Sequence, residues 1–387
     1  MERTVGLALK DFPTTPNSLR KVPHIDEAAN GFNVNLTDLY FHYYQDKHGK
    51  KPPNPDPSLF EHLQYFASAQ EFRLLGDGLG VSTNSRRTLS NELGQAFCRL
   101  FLHDHLGVPY FAHIDRVLRR SIKPGFGDLS ITRNVGGGDA PDYFCAKSVD
   151  KVFLAEAKGS HDAISFESKM FQRWRNQFNN VVVQRPKGNV LSVKGYIVAT
   201  RYATESRPFT KSVLYAEDPA TPGELALDGE ASTPLGSVIV GLHYAQLAQK
   251  LNQPILAEAL EIGFPIPQEI LVQTIVWELG IGPLAGKRFV GGYYPSSEGA
   301  PNISVEDGKI SYIEPNPLRL DIRHATFIGI EENIFGQVVA FARGQGRADS
   351  VSHFDQAQFF YSAISILLDG SIIGPVEFFR PITNRTF

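Results

Sequence analysis

Cysteine is scarce in this chain, which has only Cys98 and Cys145 among 387 residues. Two isolated cysteines do not form a disulfide framework, and their spacing is not that of a zinc site. The chain also lacks an apolar run of bilayer length, because the most apolar long stretch, 270–286, is interrupted by polar residues and a proline. The N-terminus has no apolar run of signal-peptide length. These absences predict a soluble, cytoplasmic protein with no membrane partner.

An excess of positive charge is also missing, since 38 Lys and Arg stand against 41 Asp and Glu, for a formal net charge of -3. Proteins that coat nucleic acid without selectivity are usually basic, so any contact with nucleic acid must come from a local patch. What the chain does have is apolar material: 42% of its residues are hydrophobic and 11% are aromatic. This content is sufficient for a packed core and excludes wholesale disorder.

Composition and periodicity predict three parts. Residues 1–85, rich in Pro, Asn, Asp and Gly, are predicted to form an N-terminal helical segment. Residues 86–215 alternate helix and strand patterns, and residues 216–387 are predicted to be a C-terminal α+β region of unknown role. Outside the middle part, the predicted helices are 36–44, 58–74, 242–251 and 254–262.

The middle part is the most regular. Between the strands of 142–148 and 151–158, Val149-Asp150 suits a tight hairpin turn. The order helix, strands, helix, strand predicts an α/β fold with a mixed sheet flanked by helices. Its predicted elements are a helix at 90–106, strands at 126–134, 142–148 and 151–158, a helix at 166–183 and a strand at 195–202.

Three residues of the predicted hairpin carry chemistry. Asp142 opens one strand and Glu156 lies near the end of the next, so a hairpin brings the two carboxylates together. Strand alternation places Glu156 and Lys158 on the same face. Two carboxylates at one place repel unless a divalent cation lies between them, and hard oxygen ligands favour Mg²⁺ or Mn²⁺. A metal with a neighbouring lysine is suited to in-line attack on a phosphodiester.

These residues resemble the PD-(D/E)xK nuclease superfamily, whose members have the restriction-endonuclease-like fold. The matching residues are Pro141, Asp142, Glu156, Ala157 and Lys158, with 13 residues between Asp142 and Glu156. The resemblance implies that Asp142 and Glu156 bind the metal and that Lys158 assists the attacking water. It covers roughly 88–205, about a third of the chain.

The same superfamily commonly has a Glu on the helix before the sheet and a Gln on the helix after the motif. Glu92 occupies a suitable place in the first helix, which makes it a further candidate. Gln172 and Gln177 both lie in the second helix, and the sequence does not choose between them.

Local charge supports a nucleic-acid substrate. Between Lys147 and Lys211 there are twelve Lys or Arg and five Asp or Glu, a local excess of +7. Basic residues beside aromatic ones suit phosphate contact and base stacking, although Phe171 and Trp174 are expected in the core. The candidate nucleic-acid-binding residues are Lys169, Arg173, Arg175, Arg185 and Lys187.

Histidines near the motif are interpreted as structural. His103 and His105 point to different faces of a helix and are expected to be surface or helix-end residues. His161 lies three residues beyond Lys158 and is interpreted as a loop histidine.

The sequence therefore predicts a Mg²⁺- or Mn²⁺-dependent endonuclease that acts on DNA, with a role in prokaryotic defence or repair of the kind such nucleases often have. The competing hypothesis is a catalytically inactive protein of the same fold that binds DNA or another partner. A homo-oligomer or a protein partner is compatible with either hypothesis.

Overall fold

The computed structural model describes most of the chain, and its contacts divide it into two compact units. Unit 1 comprises Met1–Lys47, Glu61–His243 and Glu261–Gly263, and unit 2 comprises His48–Phe60, Tyr244–Leu260 and Phe264–Phe387. The described residues are 2–47, 60, 62–120, 129–134, 138–184, 190–191, 193–220, 233–294, 303–306, 309–312, 325–355 and 363–387.

Seven α-helices lie within the described residues. The longest, α2, begins after Ser82, whose side chain accepts a hydrogen bond from Ser85 N, and ends at Gly107, which has a left-handed φ of 66°. Both ends follow ordinary capping chemistry. The helices are α1 (Leu36–Lys47), α2 (Thr83–Leu106), α3 (Ile114–Arg120), α4 (Lys169–Gln177), α5 (Thr233–Lys250), α6 (Pro254–Ile262) and α7 (Glu332–Ala342).

The strands of unit 1 form a large mixed sheet and a small antiparallel one. They are β1 (Glu2–Lys10), β2 (Gly31–Asn35), β3 (Tyr110–His113), β4 (Ser130–Arg133), β5 (Tyr143–Ser148), β6 (Lys151–Ser160), β7 (Val181–Gln184), β8 (Val190–Leu191), β9 (Gly195–Arg201) and β10 (Val213–Glu217). The large sheet has the order β2-β1-β10-β9-β6-β5-β3, with parallel pairs β1–β10 and β6–β9. The small sheet has the order β4-β7-β8. The mixed α/β class predicted from the sequence is confirmed.

Helix α2 packs closely on strand β6, and two glycines allow this approach. A Cβ atom on Gly94 would lie 2.5 Å from Gly159 N and 2.6 Å from the carbonyl carbon of Lys158. A Cβ atom on Gly159 would collide with the Ser90 carbonyl oxygen. Absence of both side chains lets the helix lie directly against the strand backbone that carries Lys158.

Three local predictions differ from the structure. The N-terminal segment is not purely helical, because β1 and β2 join the large sheet, although α1 forms where a helix was expected. In the described part of 58–74, the only helical turn is a 3-10 helix at Leu63–Tyr65. The helix predicted over 166–183 ends at Gln177 and is followed by a 3-10 turn and β7. Consecutive Val181, Val182 and Val183 favour a strand over the end of a helix.

Unit 2 contains a six-stranded antiparallel sheet with the order β16-β17-β15-β12-β11-β18, and α7 packs on it. Its core includes Trp277, Phe289, Phe327 and Phe379, and the rings of Phe327 and Phe379 stack with centroids 4.1 Å apart. Among the helices that the structure describes, none is both long and apolar enough to cross a membrane. The strands of unit 2 are β11 (Gln273–Leu279), β12 (Arg288–Tyr294), β13 (Ile303–Glu306), β14 (Lys309–Tyr312), β15 (Thr326–Glu331), β16 (Ser365–Ile366), β17 (Ser371–Pro375) and β18 (Phe379–Thr386).

Candidate active site

The β5–β6 hairpin brings Asp142 to Glu156, as the sequence predicts. A two-residue turn at 149–150 joins the strands, and their register pairs Tyr143 with Ala155. Asp142 directly precedes β5, so it lies at the level of Glu156 on the neighbouring strand. The hairpin therefore places both carboxylates at the end of the β5–β6 ladder that lies opposite the turn.

Backbone and side-chain hydrogen bonds fix Asp142 in place. Its Oδ2 accepts from Ala157 N at 2.9 Å, and its Oδ1 accepts from Gln95 Nε2 at 3.2 Å. Its carbonyl oxygen accepts from Ile114 N at 2.9 Å. Two of these bonds hold the carboxylate and the third holds the backbone of Asp142, whose side chain is 21% exposed.

Glu156 and Lys158 form the other half of the site. The Glu156 side chain is completely buried, and Lys158 Nζ forms an ion pair with it while lying 3.9 Å from Asp142 Oδ2. Lys158 is 25% exposed, so its ammonium group lies where the buried carboxylate meets solvent. Strand alternation puts the two residues on one face of β6, as predicted.

Two glutamines complete the polar contacts of the carboxylates. Gln177, the last residue of α4, faces Glu156, and with its amide group turned to that carboxylate it donates to both oxygens, at 2.7 Å to Oε2. Gln95, on α2, is the donor to Asp142 and was not among the predicted residues. It lies one helical turn after Glu92, so the helix period was the one signal able to suggest it.

The charges of the site depend on burial. Burial and the neighbouring Asp142 carboxylate raise the pKa of Glu156 well above the usual value of a glutamate. Burial by itself lowers the pKa of Lys158, but the carboxylates of Glu156 and Asp142 outweigh this effect and raise it. Lys158 therefore remains an ammonium ion, and it is the cation that offsets the two adjacent carboxylates.

The donor set fits a divalent cation of the magnesium type. Asp142 and Glu156 offer carboxylate oxygens, which Mg²⁺ and Mn²⁺ prefer, while the exposed side of Asp142 leaves room for water ligands. The Lys158 ammonium already lies against both carboxylates, so the position attracts positive charge. Hydrogen bonds from Gln95, Gln177 and the backbone orient the ligand groups, as outer-shell partners do in metal sites.

Two candidates of the sequence analysis lie elsewhere. Glu92 forms an ion pair with Lys47 at 3.2 Å, and the structure records no contact of Glu92 with either carboxylate of the site. Gln172 is exposed and bonds to Asn176 and Arg175 on its own helix. Of the two glutamines between which the sequence did not choose, Gln177 is therefore the one at the site.

The predicted nucleic-acid-binding residues fall into three groups. Lys169 and Arg173 are exposed on α4 and available to a ligand. Arg175 holds the buried Glu217 with two hydrogen bonds of 2.8 and 2.7 Å and donates to the Phe166 carbonyl at 2.7 Å. Arg175 therefore has a structural ion pair, and its contact with nucleic acid stays a prediction. Arg185 and Lys187 lie outside the described residues.

The aromatic residues of α4 and the two cysteines have structural surroundings. Phe171 and Trp174 are buried, as expected. Cys98 and Cys145 are buried and free, and burial raises the pKa of both thiols, so neither is a ready nucleophile.

A separate group of possible metal ligands lies between α1 and α2. His42, His103 and Asp104 have ligand atoms within 4.8 Å of one another, the one such group of three His, Cys, Asp or Glu among the described residues. His103 Nδ1 lies 2.6 Å from Asp104 Oδ1, and α2 ends three residues later, as expected of helix-end residues. Its nitrogen donors suit transition metals better than Mg²⁺.

Comparisons of the chain with protein families, with characterised proteins and with solved structures found no match. The functional interpretation therefore depends on the geometry of the site.

Proposed function

We propose that this chain is a Mg²⁺- or Mn²⁺-dependent nuclease of the restriction-endonuclease-like fold, with DNA as its substrate. The observation that carries the proposal is the convergence of Asp142, the buried Glu156 and Lys158 at the open end of the β5–β6 hairpin. Gln95 and Gln177 are bonded to the two carboxylates. A structural ion pair needs neither a second carboxylate nor two glutamine donors.

The order of elements around the site supports the proposed fold. Helix α2 precedes the antiparallel strands β3, β5 and β6, and α4 then leads through β7 and β8 to β9, which pairs with β6 in parallel. A parallel return of this kind requires a crossover connection, in which α4 provides the helix. Gln177 comes to Glu156 from this crossover helix.

Each residue has a distinct proposed role. Asp142 and Glu156 hold the cation, which when bound supplies Lewis-acid activation of the phosphodiester and its attacking water. Lys158 lies against both carboxylates, and its proposed role is to hold the attacking water by hydrogen bonding or to neutralise negative charge on the phosphate. Gln95 and Gln177 are positioning residues that fix the carboxylates.

The test is cleavage of supercoiled plasmid and linear DNA by purified protein with Mg²⁺ or Mn²⁺, and with a chelator as the metal-free control. Asp142→Asn and Glu156→Gln keep the shape of the side chains, and Lys158→Met keeps most of its length. Each is expected to reduce the cleavage rate about 100- to 1000-fold, the usual loss for one preorganised electrostatic group. Undiminished cleavage by Glu156→Gln would refute the assignment.

Helix α4 offers a matched pair of variants. Gln177→Ala removes the donor to Glu156 and is expected to raise the Mn²⁺ concentration for half-maximal cleavage about 10- to 100-fold, as losses of outer-shell partners do. Gln172→Ala removes the same group five residues earlier, where it faces Asn176, and is expected to leave the metal dependence unchanged. Equal changes in the Mn²⁺ dependence of the two variants would contradict the contact between Gln177 and Glu156.

A catalytically inactive protein of the same fold that binds DNA or another partner is the second candidate. The observation that favours it is charge: the chain has a net charge of -3, and Arg175 within the basic stretch is already paired with Glu217, which weakens the case for a DNA substrate. This candidate predicts binding of DNA or another partner without cleavage in any metal. Mn²⁺ titration separates the two, because an active site binds the ion and Glu156→Gln abolishes that binding.

A further inference from the structure

A polar cavity of about 410 Å³ lies beyond the end of β6. Gly159 and Ser160, the first two residues after Lys158, form part of its wall. Gly159 follows Lys158 in the chain but points to the opposite face of β6, the face that packs against α2. We call this cavity the arginine pocket, after its lining residues Arg86, Arg87 and Arg207.

Three segments of unit 1 build the arginine pocket. The first turns of α2 contribute Arg86 and Arg87, and the loop after β9 contributes Arg207. The loop before α2 closes one side, where Gly78 has a φ of 102° and its Cβ position would lie 2.5 Å from the His161 ring. That close approach requires glycine and holds the imidazole at the wall of the cavity.

The pocket carries unpaired positive charge. Within the described part of the chain, no carboxylate lies within ion-pair distance of Arg86, Arg87 or Arg207, although Asp77 and Asp162 also line the cavity. One guanidinium hydrogen bond is used internally, from Arg86 Nε to the Gly80 carbonyl at 2.9 Å. The remaining guanidinium groups are available to a ligand.

His161 adds a second, independent indication of a ligand. Both of its ring nitrogens are buried, and neither has a hydrogen-bond partner among the residues that the structure describes. Burial and the nearby Arg86 and Arg207 lower the pKa of His161, against a smaller opposing effect of Asp162. The imidazole is therefore neutral at pH 7 and able to donate one hydrogen bond and accept another.

We propose that the arginine pocket binds a phosphate group of the nucleic-acid strand. Guanidinium groups bind phosphate oxygens in a bidentate manner, and several converging ones provide the electrostatic complement of a phosphate. The volume lies within the range of small-ligand pockets, so it admits a phosphate with part of its nucleotide. The inference rests on the proposed function for the identity of the strand.

A terminal phosphate monoester and an internal diester share this chemistry, so the experiment compares both. Binding is measured in chelator with the Asp142→Asn protein, so that cleavage does not interfere, by fluorescence anisotropy of a single-stranded oligonucleotide with either a 5′-phosphate or a 5′-hydroxyl. Tighter binding of the phosphorylated strand, lost on pocket substitution, identifies a terminal phosphate as the ligand. Equal binding of both strands, weakened by the same substitutions, identifies an internal phosphate.

Arg207→Gln and Arg86→Gln are each introduced into the Asp142→Asn protein. Each is expected to weaken binding of the oligonucleotide about ten-fold or more, in line with the loss of a charge-assisted hydrogen bond. The slope of log affinity against log salt is expected to fall by about 0.7, the value for one phosphate contact on a single strand. Arg288→Gln removes an exposed arginine of β12 in unit 2 and serves as the matched control. Unchanged affinity and salt slope in both pocket variants would overturn the inference.

Stability and cleavage assays keep the outcomes apart. Arg86→Gln also removes the bond to Gly80, so its melting temperature is checked, whereas Arg207→Gln removes no internal side-chain bond that the structure records. Pocket-dependent binding by a protein that never cleaves DNA would support the pocket and refute the proposed nuclease. If the parent protein cleaves DNA and the Arg207→Gln protein binds and cleaves it equally well, the nuclease is supported and the pocket is refuted.

Inorganic phosphate provides a direct probe of His161. A bound phosphate adds negative charge between Arg86, Arg207 and the imidazole, and therefore raises the pKa of His161. Histidine NMR titration of the Asp142→Asn protein is expected to show this rise with phosphate and not with chloride. The rise is expected to be absent in Arg207→Gln, and its persistence there would contradict binding at the arginine pocket.

Discussion

Glu156 is buried completely, and such a carboxylate is costly unless its neighbours satisfy it. Lys158 supplies the opposite charge and Gln177 supplies amide hydrogens. Asp142, more exposed, is held by Ala157 N and Gln95. At the scale of single residues, the proposed site therefore holds its ligand groups in position before any cation arrives, which is the arrangement that electrostatic catalysis requires.

Arg173 and Arg175 are close on α4 but differ in their surroundings, and this difference is testable. Arg175→Ala leaves the buried Glu217 without its main partner and is expected to lower the free energy of unfolding by about 3–5 kcal/mol. Arg173→Ala removes an exposed charge and is expected to leave stability within about 0.5 kcal/mol, while weakening DNA binding a few-fold. Urea denaturation measures the first effect and fluorescence anisotropy the second. Destabilisation by Arg173→Ala and not by Arg175→Ala would contradict these contacts.

The residues that were predicted correctly are those whose neighbours are local. Alternation in β6 and a short hairpin turn are sufficient to relate Asp142, Glu156 and Lys158. The ion pair of Arg175 was not predicted because its partner, Glu217, lies 42 residues away in the chain. Gln95 was missed because its acceptor is 47 residues away on another element. Local periodicity can place such a residue on a face of its element, but it does not identify a partner that is distant in the chain.

At the scale of elements, the α2–β6 contact determines where Lys158 lies. Gly94 and Gly159 allow the backbones to touch, and the polar residues of β6 then face away from the helix. Strand β6 is also held on both edges, by β5 antiparallel and by β9 parallel. A strand fixed on both edges and one face presents its remaining side chains with little freedom.

Gly94→Ala tests this contact. A methyl group there would lie 2.5 Å from Gly159 N, so helix and strand must separate, and a loss of about 1–3 kcal/mol of stability is expected from overpacking. Because the displaced backbone is that of Lys158, the cleavage rate should fall as well. Gly292→Ala, with no atom within 4 Å of its Cβ position, is the control. Thermal unfolding and cleavage measure both effects, and a stable, fully active Gly94→Ala protein would count against the packing described.

The packing of α1 on α2 predicts a pH dependence. His42 is buried against His103 on α2, with ring centroids 4.9 Å apart, and burial together with His103, Arg99 and His243 lowers the pKa of His42 well below its usual value. Below about pH 6.5 the unfolded chain takes up a proton at this residue and the folded chain does not. The free energy of unfolding therefore keeps its full value above that pH. It falls as the pH is lowered further, by up to about 1.4 kcal/mol per pH unit from His42.

His42→Gln removes the titrating group, so the free energy of unfolding should fall less steeply between pH 7.5 and pH 5.5 than in the parent protein. His24→Gln, at an exposed site, is expected to keep the parental slope. Urea denaturation at several pH values measures the slopes, and comparing slopes removes any difference in stability at pH 7.5. Parallel slopes for the parent and His42→Gln would rule out this origin of acid sensitivity.

Element prediction succeeded where the pattern is regular and failed where pairing is distant. The strands at 142–148 and 151–158 alternate or are uniformly apolar and match β5 and β6 closely. Strand β1 was missed because its partners are β2 and β10, and β10 lies about 200 residues along the chain. Val5, Leu7 and Leu9 alternate with smaller residues in ERTVGLALK, but this alternation does not identify a partner at that distance.

At the scale of the whole molecule, charge is distributed unevenly. The chain has a net charge of -3, whereas residues 147–211 have an excess of +7. Part of this excess is used internally, because Arg175 pairs with Glu217 and Lys194 lies 2.6 Å from Asp218. The attraction for a polyanion is consequently local and modest, which makes the proposed binding sensitive to salt. The carboxylates of the proposed site and the arginine pocket both belong to unit 1.

A metal ion bound by the folded state alone should stabilise the molecule by mass action. At a Mn²⁺ concentration about 100 times the dissociation constant, this linkage amounts to about 2.7 kcal/mol, or several degrees in the melting temperature for a unit of this size. Glu156→Gln should abolish the Mn²⁺-dependent rise, and Gln172→Ala should retain it, because Gln172 faces Asn176 and not the carboxylates. Differential scanning calorimetry with and without Mn²⁺ measures the rise.

Asp104→Asn distinguishes the carboxylate pair from the group formed by His42, His103 and Asp104. If Mn²⁺ binds at Asp142 and Glu156, the rise persists in Asp104→Asn and disappears in Glu156→Gln. The reverse pattern would assign the ion to the histidine group and remove the metal from the proposed active site. Oxygen donors alone bind Mn²⁺ and Mg²⁺ with similar preference, whereas imidazole favours later transition metals. A comparable rise with Mg²⁺ is therefore expected only from the carboxylate pair.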